Sequence, residues 1–261
     1  MTVLDKIVEY KKEFVAACKS AKPLAEVRRE AEGAPAPRDM LASLRQGDGV
    51  HVIAECKKAS PSKGVIRPDY DPAAIARSYA MHGAAAISCL TDEKFFQGSL
   101  DHLRAVRAAV DISVMRKEFI IDEYQIYEAR AAGADAALLI CSILDEAQLR
   151  DFTALLRELG MHALVEIYDP AETPMALRHN TGIVGVNNRD LRNFEVDLRH
   201  TATVAKEVGD SALLVSESGI FTPEDVAYIH SAGAKAILVG EAFMRAEDPG
   251  IELKYLIEQL R

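Results

Sequence analysis

Short apolar runs recur along the chain about every 25 residues, separated by amphipathic stretches of helical period. Four of these runs follow a glycine. "HGAAAISCL", "AGADAALLI", "TGIVGVNN" and "AGAKAILVG" contain Gly83, Gly133, Gly182 and Gly233, spaced about fifty residues apart. Four more lie between them: "VIAECK", "ISVMRK", "HALVEI" and "SALLVSE". "DPAAIARSYAMHG", "DEYQIYEARAAG" and "TPEDVAYIHSAG" carry the helical pattern, each with an Asp or Thr start and a Gly stop. Continuous apolar strands suit a parallel sheet covered on both faces. Eight βα units, with no G-x-G-x-x-G turn after the first strand, predict a closed (β/α)8 TIM barrel over an open doubly wound sheet.

The first 48 residues precede this pattern and predict an N-terminal helical extension, with the barrel as a catalytic domain over 49–261. Leu4, Ile7, Val8, Phe14, Val15 and Cys18 form one helical stripe, and a second helix is expected around Pro37–Leu44. "EGAPAPRD" marks the break between them. The extension is expected to pack on the barrel, one mouth of which it could cover.

Composition narrows the function. The 261 residues are 49% apolar with a net charge of −9, which argues against nucleic acid or an anionic membrane as partner. No apolar run is long enough to span a membrane, and the N-terminus lacks the core of a signal peptide, so a cytoplasmic protein is expected. Cys18, Cys56, Cys89 and Cys141 show no metal-ligand spacing and read as small buried hydrophobes. His82, His179 and His230 fall at helix ends, His51 and His162 start strands, and His102 and His200 read as surface positions. No metal and no histidine catalyst is expected.

Chemistry in this fold belongs at the C-terminal ends of the strands. Strand 1 ends with Glu55 and Lys57, strand 3 with Lys117, strand 5 with Glu166, and strand 7 with Glu217 and Ser218. Because interior layers draw on alternate strands, these charges could form one ring, with Glu55 or Lys57 contributed by the first strand. Even strands end in Leu90, Leu138 and Leu238, with Asn187 and Arg189 after strand 6 the polar exception. The pocket so defined is half charged and half apolar. "SESGIFTPED" and "LVGEAFMR" place glycines after the last two strands, where such barrels bind phosphate on backbone N–H groups, and "SPSKG" could close over the same anion.

The runs "IAECKKASPSKG", "CLTDEKFFQGS", "MRKEFIIDEYQIYEARAAGADAALLI", "LVEIYD", "GVNNRDLRNFEVDL", "VSESGI" and "ILVGEAFMRAEDP" resemble the indole-3-glycerol phosphate synthases. The resemblance extends from about Pro37 to Pro249, in order around the barrel; Cys56 and Glu118 depart from the usual residues. It implies ring closure of 1-(2-carboxyphenylamino)-1-deoxyribulose 5-phosphate with loss of CO2 and water, in tryptophan biosynthesis, without a cofactor. Lys117 matches the general acid and Glu166 the second acid–base residue. Lys57 matches a lysine that holds substrate or shares in proton transfer. Glu55, Asn187, Glu217 and Ser218 match residues that hold substrate and orient the lysines, and Arg189 is the partner of its anionic or hydroxyl groups. Phe96, Leu138 and Leu238 would line the ring slot, and Ser60, Gly219, Gly240 and Glu241 the phosphate site. The implied partner is the small-molecule substrate, with the chain a monomer or weak homo-oligomer. A different phosphate-binding barrel, such as a Schiff-base aldolase using Lys117, is the nearest alternative; a non-catalytic barrel has no use for Lys57, Lys117 and Glu166 together.

Overall fold

The computed structural model describes residues 2–47, 49–179, 182–190 and 195–258. Asp48, at the expected boundary of the extension, and the stretch 191–194 of the "GVNNRDLRNFEVDL" run lie outside the described residues. Eight parallel strands close into a barrel: β1 (His51–Cys56), β2 (Ala86–Leu90), β3 (Ser113–Lys117), β4 (Ala136–Ile140), β5 (His162–Ile167), β6 (Ile183–Asn187), β7 (Leu213–Glu217) and β8 (Ala236–Val239). Each pairs with its successor, and β8 pairs with β1 in the register His51–Ala236 to Ala54–Val239, so no edge is left open. A two-stranded antiparallel ribbon, Ala59–Ser60 with Gly64–Val65, carries the loop after β1.

The helices start and stop where side chains can satisfy their ends. Helix α4, Pro72–Met81, is capped by Asp71 accepting from the N–H groups of Ala73 and Ala74. A second, Glu123–Ala131, is capped by Asp122, and a third, Pro223–Ser231, by a Thr222–Asp225 capping box. Alternation divides the strands between two cores. Val52, Ala54 and Cys56 face the surrounding helices, whereas Ile53, Met115, Leu164 and Val215 fill the interior. Two residues further along the same odd strands the interior positions are Glu55, Lys117, Glu166 and Glu217. Among the described helices, none is long and apolar enough to cross a membrane.

The extension differs from expectation in its helices. Helix α1 spans Val3–Ala21, α2 spans Leu24–Gly33, and α3 is the short Met40–Ser43. The additional helix α2 begins after Pro23, whose fixed φ suits a helix entry. The helix expected around Pro37–Leu44 is present but shorter, starting at Met40 rather than Pro37. Asp39 caps α3 through the N–H of Ala42.

The extension also reaches both mouths. Met40 and Leu44, fully buried, join the interior core at the N-terminal end of the barrel. Arg38 bonds Asp135 and the Ile112 carbonyl beside them. Helix α1 lies over the opposite mouth, where Val3, Leu4 and Ile7 line the cavity described below. Its far end is tied down by the Tyr124 hydroxyl, which donates toward the Cys18 and Lys22 carbonyls.

Cys56, Cys89 and Cys141 are buried and Cys18 is half-buried, all as free thiols. His102 and His200 are not the surface positions expected. His102 is half-buried edge-on to Tyr70, and burial lowers its pKa; His200 stacks on Tyr168 and contacts its carbonyl. Each imidazole packs against an aromatic ring, a pairing that polarity along the chain does not reveal.

Candidate active site

Every residue proposed above lines one cavity of ≈ 160 Å³ at the C-terminal mouth. Glu55, Lys117, Glu166 and Glu217 meet because they occupy equivalent inward positions on the four odd strands. Lys117 Nζ lies 2.5 Å from Glu217 Oε2 and 3.4 Å from Glu166 Oε2. Lys57 stands just beyond its strand, half-buried, and pairs with Glu55 at 2.7 Å. Glu55, not Lys57, therefore completes the ring. Asn187 donates to Glu166 Oε1 at 3.3 Å and accepts from the Arg189 N–H, which couples the sixth strand to the fifth.

The ring holds one ammonium among three carboxylates, and its protonation follows from that. Burial works against the charge on Lys117, but Glu217, Glu166 and Glu55 outweigh it and raise the pKa. Burial pushes the Glu217 carboxyl up to about 8 against the pull of Lys117, with Glu166 and Glu55 adding repulsion. Burial would raise Glu55 too, yet Lys57 and Lys117 bring it below its usual value. The site thus stores a proton on Lys117 and a second titratable group beside it.

Two glycines make room for these carboxylates. A Cβ at Gly185 on β6 would overlap Glu217 Oε1 and lie 2.6 Å from Leu164 Cδ2; one at Gly240 would overlap the Glu55 carboxylate. Gly185→Ala is expected to cost about 1–3 kcal/mol through overpacking of a rigid interior layer. The check is a urea unfolding midpoint, and an unchanged midpoint would show that Glu217 has space to move.

Around the charged ring the cavity divides as the strand ends suggest. Leu90, Leu138 and Leu238 form an apolar floor with Phe96, whose ring lies 6.0 Å from Phe119. On the opposite side Ser60, Ser218, Gly219, Gly240 and Glu241 converge from the loops after β1, β7 and β8. Arg189 Nη2 lies 3.6 Å from Glu241, and Lys63 approaches the same carboxylate at 3.9 Å. Ser218 and Gly219 both have positive φ, 69° and 78°. Such a conformation is strained for serine and requires support from its surroundings.

That support is a group the sequence reading missed. Asn188, buried behind the cavity, donates to Ser216 Oγ and the Ser218 carbonyl and accepts from Thr201. Its signal was a second amide directly after Asn187. Arg116 was missed as well: it is 1% exposed on the outer face of β3 and binds Thr91, the Gln125 carbonyl and Glu128. Its signal was an arginine in phase with Val114, where a helix-facing apolar residue belongs.

The family model described as indole-3-glycerol phosphate synthase matches residues 4–256. The chain belongs to the indole-3-glycerol phosphate synthase family. An indole-3-glycerol phosphate synthase from Laribacter hongkongensis is 51% identical over 258 residues, covering 97% of this chain and 98% of the relative. One from Rhodopirellula baltica is 49% identical, covering 98% and 99%. Among solved structures, a tryptophan synthase alpha subunit from Legionella pneumophila aligns with a TM-score of 0.62 at 14% identity, covering 84% of this chain and 95% of that one. A 3-hexulose-6-phosphate synthase aligns at 0.65 and 16%, covering 81% and 100%. These distant structures share the barrel of the indole-3-glycerol phosphate synthase family, and at that identity the fold alone.

Proposed function

We propose that this chain closes the ring of 1-(2-carboxyphenylamino)-1-deoxyribulose 5-phosphate, expelling CO2 and water to give indole-3-glycerol phosphate. The observation that carries this reading is Lys117, a proton-bearing ammonium held by Glu217 and Glu166 where the charged and apolar halves of the cavity meet. The anthranilate ring fits the apolar half, and the phosphate the Gly219–Gly240 side. Lys117 then faces the ketone between them. It protonates that oxygen as the ring carbon bearing the carboxylate attacks the carbonyl carbon. The new C–C bond forms, the bond to the carboxyl carbon breaks, and CO2 leaves with the ring electrons returned to the arene system. Loss of the hydroxyl as water needs a proton delivered to it and another removed from the ring skeleton, and Glu166 with Lys57 serves those transfers. Fixed charges at the barrel mouth stabilise the developing charge more than water would.

A lysine whose pKa is raised by three carboxylates is a poor amine nucleophile, which disfavours a Schiff-base aldolase. Arg189, Lys57 and Lys63 gather cations at one mouth of a chain with net charge −9, as a substrate carrying carboxylate and phosphate requires. We take residues 1–48 as the extension and 49–261 as the catalytic barrel, in a cytoplasmic monomer or weak homo-oligomer that binds neither nucleic acid nor membrane. The test is the rise of indole fluorescence on adding the anilino-ribulose phosphate to the purified chain. Its absence overturns the proposal.

A further inference from the structure

Lysine almost never sits fully buried on an otherwise apolar helix stripe unless it is paired. Lys11 does so on α1, in phase with Ile7 and Val15, at 0% exposure. Its Nζ lies 2.8 Å from Asp92 Oδ2 and 2.8 Å from Glu118 Oε1, both carboxylates themselves out of solvent. Each partner is attached to the cavity. Asp92 follows β2 and caps the short helix α5, Glu93–Phe96, by accepting from the N–H groups of Phe95 and Phe96. Glu118 directly follows Lys117 and accepts from the Thr91 hydroxyl and the Phe119 N–H. Thr91 in turn donates its N–H to the Lys117 carbonyl. One ammonium therefore joins α1 to the segment bearing Phe96 and to the segment bearing Lys117 and Phe119.

The two ends of α1 are fastened differently. The C-terminal end is tied to the flank of the barrel by Lys19 with Asp122 and by the Tyr124 hydroxyl. The N-terminal end crosses the mouth and presents Val3, Leu4 and Ile7 to the cavity. It is fastened at Lys11, with Tyr10 edge-on to Phe95 at 5.7 Å beside it.

We propose that Lys11 is a positioning residue for the reaction, clasping α1 across the mouth so that Leu4 and Ile7 wall the apolar half of the cavity. The inference rests on the function proposed above. Without the clasp, Asp92 and Glu118 have no ammonium between them, the N-terminal half of α1 lifts, and the substrate ring loses that wall. The ring is held alike before and during its reaction, so the loss falls on substrate affinity.

The experiment measures kcat and KM for Lys11→Met, for Leu4→Ala/Ile7→Ala, and for the combination, with hydrogen exchange over Val3–Ala21 in each. Lys11→Met is expected to raise KM about tenfold with little change in kcat, a loss of one apolar wall. Combining it with the wall variant should add little more, because both remove the same contact. Exchange should quicken in the first half of α1 while the barrel strands stay protected. An unchanged KM, fully additive effects, or a loss confined to kcat overturns the proposal. Asp92→Asn, which keeps the cap on α5 but removes one charge, should shift KM the same way; it decides the matter if Lys11→Met does not fold. Should the wild type fail to turn over the anilino-ribulose phosphate, the function falls, and α1 protection retained in Lys11→Met would overturn the clasp independently.

Discussion

Lys117→Ala is expected to reduce turnover by at least about 10²–10⁴-fold, the range for loss of a general acid. The ammonium is the proton source nearest the centre of the ring, and among the described residues its partners there are carboxylates. The variant should still fold. Glu217, Glu166 and Glu55 lose their shared cation, but Glu217 already titrates at about 8 and can take up a proton to relieve the repulsion. Its stability should therefore depend on pH. The carboxyl titrates near 4.5 when unfolded and higher when folded, so the folded state binds the extra proton between those values. Stability is then greatest at low pH and falls as pH rises through that window. Melting temperatures across pH 5–9, beside single-turnover rates, check both halves. Wild-type turnover in Lys117→Ala would sink the mechanism. Removing Glu217's charge in Glu217→Gln takes away the leading influence that raises Lys117, so the alkaline limb of the rate profile should move to lower pH.

Glu166→Gln should lower kcat by about 10²–10⁴-fold while KM stays within a fewfold. Glutamine matches the shape of glutamate and keeps an oxygen toward Asn187 Nδ2, 3.3 Å away in the wild type. What it cannot do is accept and return a proton. An interaction with bound substrate would survive such a swap better than proton transfer would. Steady-state kinetics separate the two, and a raised KM at unchanged kcat would make Glu166 a binding residue.

Much of this site was legible as a period of two laid over a repeat of eight. Once the apolar runs are read as barrel strands, Glu55, Lys117, Glu166 and Glu217 must point inward at one level. Charges at inward positions of otherwise apolar strands then need one another. The helix caps were equally local: Asp71, Asp122 and Thr222 each bond backbone within four residues. The extension was harder. Its stripe marked α1, but Lys11 within that stripe gives no hint of Asp92 and Glu118, roughly 80 and 107 positions away along the chain. Helix α2 and the true start of α3 depended on where two prolines and Asp39 let the backbone turn.

Patterning and turn chemistry, which act over a few residues, thus determined the barrel, its helix caps and the ring of charge at one mouth. Tertiary structure decided the rest. It chose Glu55 over Lys57 for the ring, set α3 under the floor and α1 over the opening, and joined α1 to the strand ends through one ammonium. The reason is that a strand's inward face follows from its own alternation, whereas the partner of a buried charge is whatever the closed fold brings within about 3 Å of it.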